Sequence, residues 1–308
     1  MPLNPAFRAV SVAGRPAVEF CIDPAASDPV GAWLQTHDTI DEPVMRLFLQ
    51  LVAPGARVVD LGAHLGTFSL PAAGHGAEVL AVDASPQHVR LLQLAAERNG
   101  FKSLQAVNAA IAHDSGHVRF IEQSIHSTIW QPEDGKITTI SVPTATVDGL
   151  LDRRGWDTVD VIKMDIEGAE AAALRGMRRL LARRQRPAIV FECNGTMLPR
   201  QASSTHALKQ TIAALGYELL LIDHLRPGRL VEQNQESVQT ECVCDYLAVA
   251  ERPPDLERSW IIEPPFCREQ TVKRLLDVAF GPHAPYRDYA IRTMAHGPAW
   301  LRDWPPHS

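Results

Sequence analysis

The chain has 308 residues, with 45% apolar and 21% charged residues and a formal net charge of −6. These proportions are those of a folded globular protein and exclude a disordered or fibrous chain. No apolar run approaches the roughly 18 residues of a membrane-spanning helix, and the first residues, MPLNPAFRAVSVAGRP, lack the apolar core of a secretory signal. The mildly acidic balance gives no electrostatic reason to expect a nucleic-acid partner. Five cysteines at scattered positions argue against a disulfide framework and for a reducing, cytoplasmic location. Cys242 and Cys244 stand two apart in an alternating, strand-like run, with no second Cys or His pair at zinc spacing.

Strand and helix patterns alternate from residue 57 onward. Arg57–Leu61 reads as a strand, Gly66–Gly74 as a helix and Glu78–Asp83 as a strand. Pro86–Asn99 reads as a helix, opened by Pro and closed by Asn-Gly. Leu104–Ile111, Val118–Gln123 and Ile137–Val142 read as extended. Thr146–Arg153 reads as a short helix capped by Thr146. Val159–Met164, the helix Ala169–Arg184, Ala188–Glu192 and the helix Ser204–Leu215 follow, then strands Tyr217–Ile222 and Cys242–Ala250. Such alternation predicts an α/β fold: a mostly parallel sheet with helices on both faces, its last two strands an antiparallel edge pair. The domain reading is an N-terminal extension (1–40), a central unit (41–250) and a C-terminal appendage (251–308). The appendage holds Trp260, Trp300 and Trp304, nine of the 23 Pro, and a helical pattern over Glu269–Phe280.

The chemistry starts at VVDLGAHLGTFSL, residues 58–70. A strand runs through Asp60 into Gly62, His64 and Gly66 and then a helix. Glycines let backbone approach a ligand closely. A dinucleotide fingerprint requires glycine at the position of His64, so a pyrophosphate is disfavoured. Asp60 suits a ligand bearing an ammonium. Asp83 ends the second strand, where a carboxylate accepts hydrogen bonds from ribose hydroxyls. Together these features point to a nucleoside with an amino-acid end, S-adenosylmethionine. Asn108, at the third strand's exit, is open to two readings, adenine contact or turn residue. His64 is likewise either a donor contact or a packing residue.

The segment VIKMDIEGAE (161–170), preceded by SVPTATVDGLL and followed by RPAIVFECN, resembles the FkbM family of S-adenosylmethionine-dependent methyltransferases. The resemblance spans roughly residues 40–250. It implies a Rossmann-like class I methyltransferase fold with a seven-stranded sheet. It also implies a methyl donor held by Asp60, Gly62, Gly66 and Asp83, and often a hydroxyl acceptor on a saccharide, lipid or secondary metabolite. His64 stands where the family often has Asn.

Methyl transfer from a sulfonium asks the protein to position the acceptor and take its proton. Asp165 and Glu167 leave a central strand two residues apart. Either takes the acceptor proton, or both bind a divalent metal such as Mg²⁺, with Glu192, at the next strand's end, open as a further metal ligand alongside Asp165, an acceptor contact or a turn residue. Glu170 fits the same motif or the helix dipole. Asn194 fits an acceptor contact or a turn. His126 is read as a candidate base on a loop, with an ordinary surface histidine as the alternative. The arginine-rich stretch Arg175–Arg186 reads as a solvated helix end, with a patch for an anionic substrate or nucleic acid as the sharper alternative. The expected partners are therefore a small-molecule or saccharide acceptor, with no nucleic acid and no membrane span, and the appendage is open as a lid, a substrate wall or a homodimer contact. N-methylation, an oxidoreductase and a silent nucleoside-binding module are the competing functions.

Overall fold

The computed structural model describes residues 3–26, 28–121, 139–195, 197–224, 226–233 and 243–265. The chain opens with strands β1 (Ala6–Val12) and β2 (Val18–Ile22), helix α1 (Pro29–Thr36), β3 (Thr39–Ile40) and α2 (Pro43–Leu51). Then come β4 (Arg57–Leu61), α3 (Ser69–Gly74), β5 (Glu78–Asp83), α4 (Pro86–Asn99), β6 (Leu104–Asn108), β7 (Ala110–Ile111), β8 (Gly116–Ile121) and β9 (Thr139–Ala145). The second half comprises α5 (Val147–Arg154), β10 (Val161–Met164), α6 (Glu170–Gly176), α7 (Arg178–Leu181), β11 (Ala188–Asn194), α8 (Thr205–Ala214), β12 (Glu218–Ile222), β13 (Arg229–Glu232), β14 (Val243–Val249), α9 (Leu256–Ser259) and β15 (Ile261–Glu263).

The main sheet runs β15-β13-β12-β14-β11-β10-β4-β5-β6. Its centre is parallel: β6, β5, β4, β10 and β11 pair in one direction. Strands β12 and β14 pair antiparallel as expected, and β14 is inserted between β11 and β12, antiparallel to both. The expected seven strands are present, and β13 and β15 extend the sheet beyond β12. Strand order reverses at β4, where β5 and β6 lie to one side and β10 and β11 to the other. In open α/β sheets the crevice outside the strand ends at such a reversal is where ligands bind.

Both faces of the sheet are buried, and the alternation of side chains shows it. In β4, Val58 joins one core while Val59 joins the other. In β5, Val79 and Ala81 face one side and Leu80 and Val82 the opposite side. Strands buried on both faces read as continuous apolar runs, which is why RVVDL and EVLAVD were legible. Helix α4 forms as its punctuation predicts. The Ser85 hydroxyl accepts from the His88 amide, Pro86 opens the helix, and Gly100 closes it at φ 72°. Thr146 caps α5 through the Gly149 amide.

The long helix expected over Ala169–Arg184 is divided at Met177 into α6 and α7. Asp148, from α5, accepts from the Arg179 and Leu180 amides and so caps a fresh helix start there. Three of its arginines make contacts within the fold while Arg175, Arg178, Arg179, Arg183 and Arg184 stay exposed: Arg179 pairs with Asp152, Arg183 with Asp157, and Arg186 donates to the Leu215 and Gly216 carbonyls.

The segments before and after the central unit pack onto it. Val10, Val18 and Phe20 share the core that includes Val58, Leu70 and Leu92. The boundary drawn at residue 250 passes between β14 and α9, whose Leu256 and Trp260 are buried in that same core. The Trp260 indole also donates to Gln50 Oε1 at 2.6 Å. Trp300, Trp304 and the helix read over Glu269–Phe280 lie outside the described residues. Among the described residues no helix is long and apolar enough to cross a membrane.

Trp260 is 5% exposed, so Trp260→Ala is expected to cost about 3–5 kcal/mol in urea unfolding. A loss below about 1 kcal/mol, the range of surface substitutions, would show that residues 251–263 are not integral to the core.

Candidate active site

A cleft of about 230 Å³ opens at the ends of β4, β5 and β10. Gly62, His64, Asp83 and Ala84 line one part of it, Ala109–Ile111 and Phe120 a second, and Lys163, Asp165, Ile166 and Glu167 a third. Small and apolar groups thus wall the side beside Asp83, and charged groups the side beside β10.

The loop after β4 is shaped by close approaches. Gly62 holds φ 81°, and a β-carbon there would overlap the Asp165 carbonyl oxygen. Its backbone amide and that of Ala63 both donate to the Val82 carbonyl. Gly66, at φ 85°, leaves room for Leu92 of α4, so it serves packing and does not line the cleft. His64 also has a positive φ, 50°, which is unusual for a residue with a β-carbon. Its amide donates to Asp83 Oδ2 at 2.8 Å, while the Ser85 amide donates to Asp83 Oδ1 at 2.8 Å. Asp83 is thereby fixed on both oxygens, and Oδ2 keeps a further lone pair for a hydroxyl. Burial raises its pKa, but hydrogen bonding and charge from His88, with His64 and the Ser85 amide, overcome that and hold it below the usual value.

Two sequence-predicted donor residues are placed elsewhere. Asp60 is 1% exposed, is absent from the cleft wall, and accepts from the Ser69 hydroxyl at 2.5 Å. Burial pushes its pKa up to about 6. Asn108 uses its amide to hold the Asp83 and Ala84 carbonyls, at 3.1 and 2.9 Å, so the turn reading accounts for it.

Asp165 and Glu167 both line the cleft, as their spacing predicted. Glu167 sits at φ 52°, a strained position for a side-chain-bearing residue. Its Oε2 accepts from Asn194 Nδ2 at 3.2 Å. Burial, with Asp165 and Glu170 nearby, pushes its pKa up to about 8. Glu170 is fully buried and straps the turn, accepting from the Ile166 and Gly168 amides at 3.2 and 3.3 Å. Burial raises its pKa to about 7.

The motif's lysine carried no assigned role in the sequence. Lys163 is 2% exposed, with Nζ 3.4 Å from Asp165 Oδ2, 3.9 Å from Asp245 Oδ1 and 5.0 Å from the Phe68 ring centre. Burial lowers its pKa, but Asp165, Asp245, Glu192 and Asp60 outweigh burial and raise it. Asp245 stands opposite Glu192 in the β11–β14 register and pairs with His224 Nε2 at 3.0 Å. Burial, with Asp165, Asp245 and Glu167, pushes the Glu192 pKa well above the usual carboxylate range. The Mg²⁺ expected at Asp165 and Glu192 therefore finds no support. A fixed ammonium already serves these acids, and among the described residues they join no group of three converging ligands. His126 lies outside the described residues.

Residues 60–219 match the Methyltransferase FkbM domain, just over half of the chain. The chain belongs to the FkbM methyltransferase family. The fold and the cleft agree with a class I, S-adenosylmethionine-dependent methyltransferase. Among curated relatives, the 23S rRNA (uracil(1939)-C(5))-methyltransferase of Azoarcus sp. is 35% identical over 102 residues, covering 32% of this chain and 23% of that protein. The namesake from Aromatoleum aromaticum is 40% identical over 78 residues, 25% of this chain and 18% of its own. The chain thus spans about a quarter or less of these relatives. Among solved structures, the Thermus thermophilus 16S rRNA N2 G1207 methyltransferase with AdoMet and guanosine aligns at TM-score 0.44 and 17% identity, over 81% of this chain and 52% of that one. M. jannaschii TYW2 with AdoMet aligns at TM-score 0.39 and 12% identity, over 80% of this chain and 85% of that one.

These relatives overturn the expected partner set of a small-molecule or saccharide acceptor without nucleic acid, because the curated matches are rRNA methyltransferases. The net charge of −6 does not exclude nucleic acid, since it averages the whole surface while nucleic-acid contact needs only a local patch.

Two outcomes are expected. Asp83→Ala should abolish donor binding in calorimetry while the far-ultraviolet spectrum stays native, and unchanged affinity would contradict the ribose assignment. Glu167 titrates near 8 when folded against 4.5 in its ordinary state. Between those values the unfolded chain has released the proton that the folded chain keeps, so this group's contribution to stability falls as pH rises. The stability of Glu167→Gln relative to wild type should therefore climb from pH 5 to pH 9 in urea melts. Parallel curves would contradict the shift.

Proposed function

We propose that the chain transfers the methyl group of S-adenosylmethionine to a hydroxyl oxygen, with Glu167 taking the acceptor's proton. The carrying observation is the Glu167 carboxyl. It lines the cleft, is oriented by Asn194, is held in a left-handed turn and has a pKa raised to about 8. An ordinary carboxylate is too weak a base for a hydroxyl, and a pKa near the working pH is the better match for general-base work.

Bound S-adenosylmethionine supplies an activated methyl group on a sulfonium. The ribose hydroxyls are assigned to Asp83, and the apolar wall of Ala109–Ile111 and Phe120 to the adenine. Gly62 and His64 border the middle of the ligand. Asp165 offers negative charge to the cationic end, and Lys163 holds that carboxylate in place. Glu167 deprotonates the hydroxyl at the open side, and Asn194 keeps its carboxyl aimed there. The rRNA relatives bring RNA in as an acceptor class, and its ribose hydroxyl presents this same chemistry. Methylation at a pyrimidine carbon calls for a nucleophile to activate the ring. Cys21, Cys193 and Cys244, the described cysteines, are all buried.

Glu167→Gln is expected to lower turnover about 10²–10⁴-fold, as loss of a general base does, while calorimetric donor affinity stays near wild type. Wild-type turnover should rise through pH 8. The check is mass spectrometry after incubation with labelled donor and either RNA or hydroxyl-bearing small molecules. A methyl group on oxygen supports the reading. A methyl group on nitrogen or carbon, or equal loss of donor binding and turnover in Glu167→Gln, contradicts it.

A further inference from the structure

Outside the acid cluster, one group of side chains in the described structure converges as metal ligands do. Asp28 ends the loop before α1, His64 belongs to the glycine loop, and His88 lies in the first turn of α4. One ligand atom from each lies within 4.8 Å of the others. Asp28 Oδ2 is 3.0 Å from His64 Nε2 and 3.9 Å from His88 Nε2. A tetrahedral zinc ion with bonds of roughly 2.0–2.1 Å holds its ligand atoms about 3.3 Å apart, between those two separations. The side chains are 11%, 22% and 12% exposed, so the group is largely shielded from solvent.

We propose that Asp28, His64 and His88 form a binding site for a divalent transition ion of the zinc class, with its open position toward the donor cleft. Three features beyond proximity carry this. First, the outer contacts are those that orient metal ligands. Asp28 spends Oδ1 on the Val30 and Gly31 amides, which frees Oδ2 for the two histidines. His88 places Nδ1 3.4 Å from Asp83 Oδ1, the carboxylate–histidine arrangement that fixes a ring with its other nitrogen toward a metal. Second, the two imidazole rings meet edge to face with centroids 4.1 Å apart. Third, His64 and His88 line the cleft, which gives a fourth ligand access. Two imidazoles with one carboxylate are a donor set for a first-row transition ion, whereas Mg²⁺ prefers oxygen ligands. An ion here would tie α1 to the glycine loop and α4 across the donor cleft. The site is independent of which atom receives the methyl group.

The test uses the full-length protein, stripped with a chelator and titrated with Co²⁺ followed by competing Zn²⁺. One equivalent of Co²⁺ with visible ligand-field bands is expected, displaced by Zn²⁺. In His88→Gln and Asp28→Asn, with native far-ultraviolet spectra, affinity should fall at least about a hundredfold. Should either variant fail to fold, X-ray absorption of the wild-type zinc protein reads the ligands directly, and two imidazole nitrogens per zinc are expected. Absence of the bands, unchanged affinity in the variants, or a zinc shell with fewer than two imidazoles would overturn the proposal and leave a hydrogen-bonded triad.

Discussion

A β-carbon on Gly62 would overlap the Asp165 carbonyl oxygen, and one on Gly168 would stand 2.7 Å from that of Met197. Both glycines hold positive φ, 81° and 99°. These two approaches press the exits of β4, β10 and β11 against one another at the point where strand order reverses. Everything at the site follows from that contact. It brings the donor loop beside the acid turn, sets Glu167 on a left-handed residue, and lets Asn194 of β11 reach its carboxyl. A glycine-free version of either turn would separate the strand ends and with them the donor and acceptor sides of the cleft.

Around this junction the charges are arranged by mutual constraint. Asp165, Glu192 and Asp245 share one buried ammonium, Lys163. One cation cannot keep all three acids and Glu167 ionised in a desolvated space. Asp245 stays ionised with help from His224, while Glu192 and Glu167 are pushed toward the protonated form. A division of neighbouring carboxyls into ionised and protonated groups is the pattern by which one site separates an electrostatic role from a proton-transfer role. Burial, with Asp165 nearby, gives Glu170 a similar shift, yet its contacts are to backbone amides, which makes it a brace for the turn.

Much of the fold was legible because the sheet is buried on both faces and its helices are well punctuated. Arg57–Leu61, Glu78–Asp83 and Pro86–Asn99 stand at their expected bounds. The order of β14 and β12 was not legible, since pairing across a long connection leaves no local trace. The break at Met177 was hidden because its cause, Asp148, belongs to a different helix. At the site, the spacing of Asp165 and Glu167 and the position of Asp83 at a strand end were enough to place them. Asp60 and Asn108 occupy the same kind of strand-end position, yet partners that the sequence does not reveal, Ser69 and two backbone carbonyls, turn them to structural work. Asp28 and His88 were missed because only the tertiary fold brings α1 and α4 to the glycine loop.

We propose that one cleft at the β4–β5–β10 exits holds the methyl donor with its reacting end facing Glu167. A crystal structure with S-adenosylhomocysteine tests it most directly. The account predicts both ribose hydroxyls on the Asp83 carboxylate, the adenine against Ala109–Ile111 and Phe120, and the sulfur on the side of Asp165 and Glu167. A nucleoside bound elsewhere, or bound here with its sulfur turned away from Glu167, would contradict it.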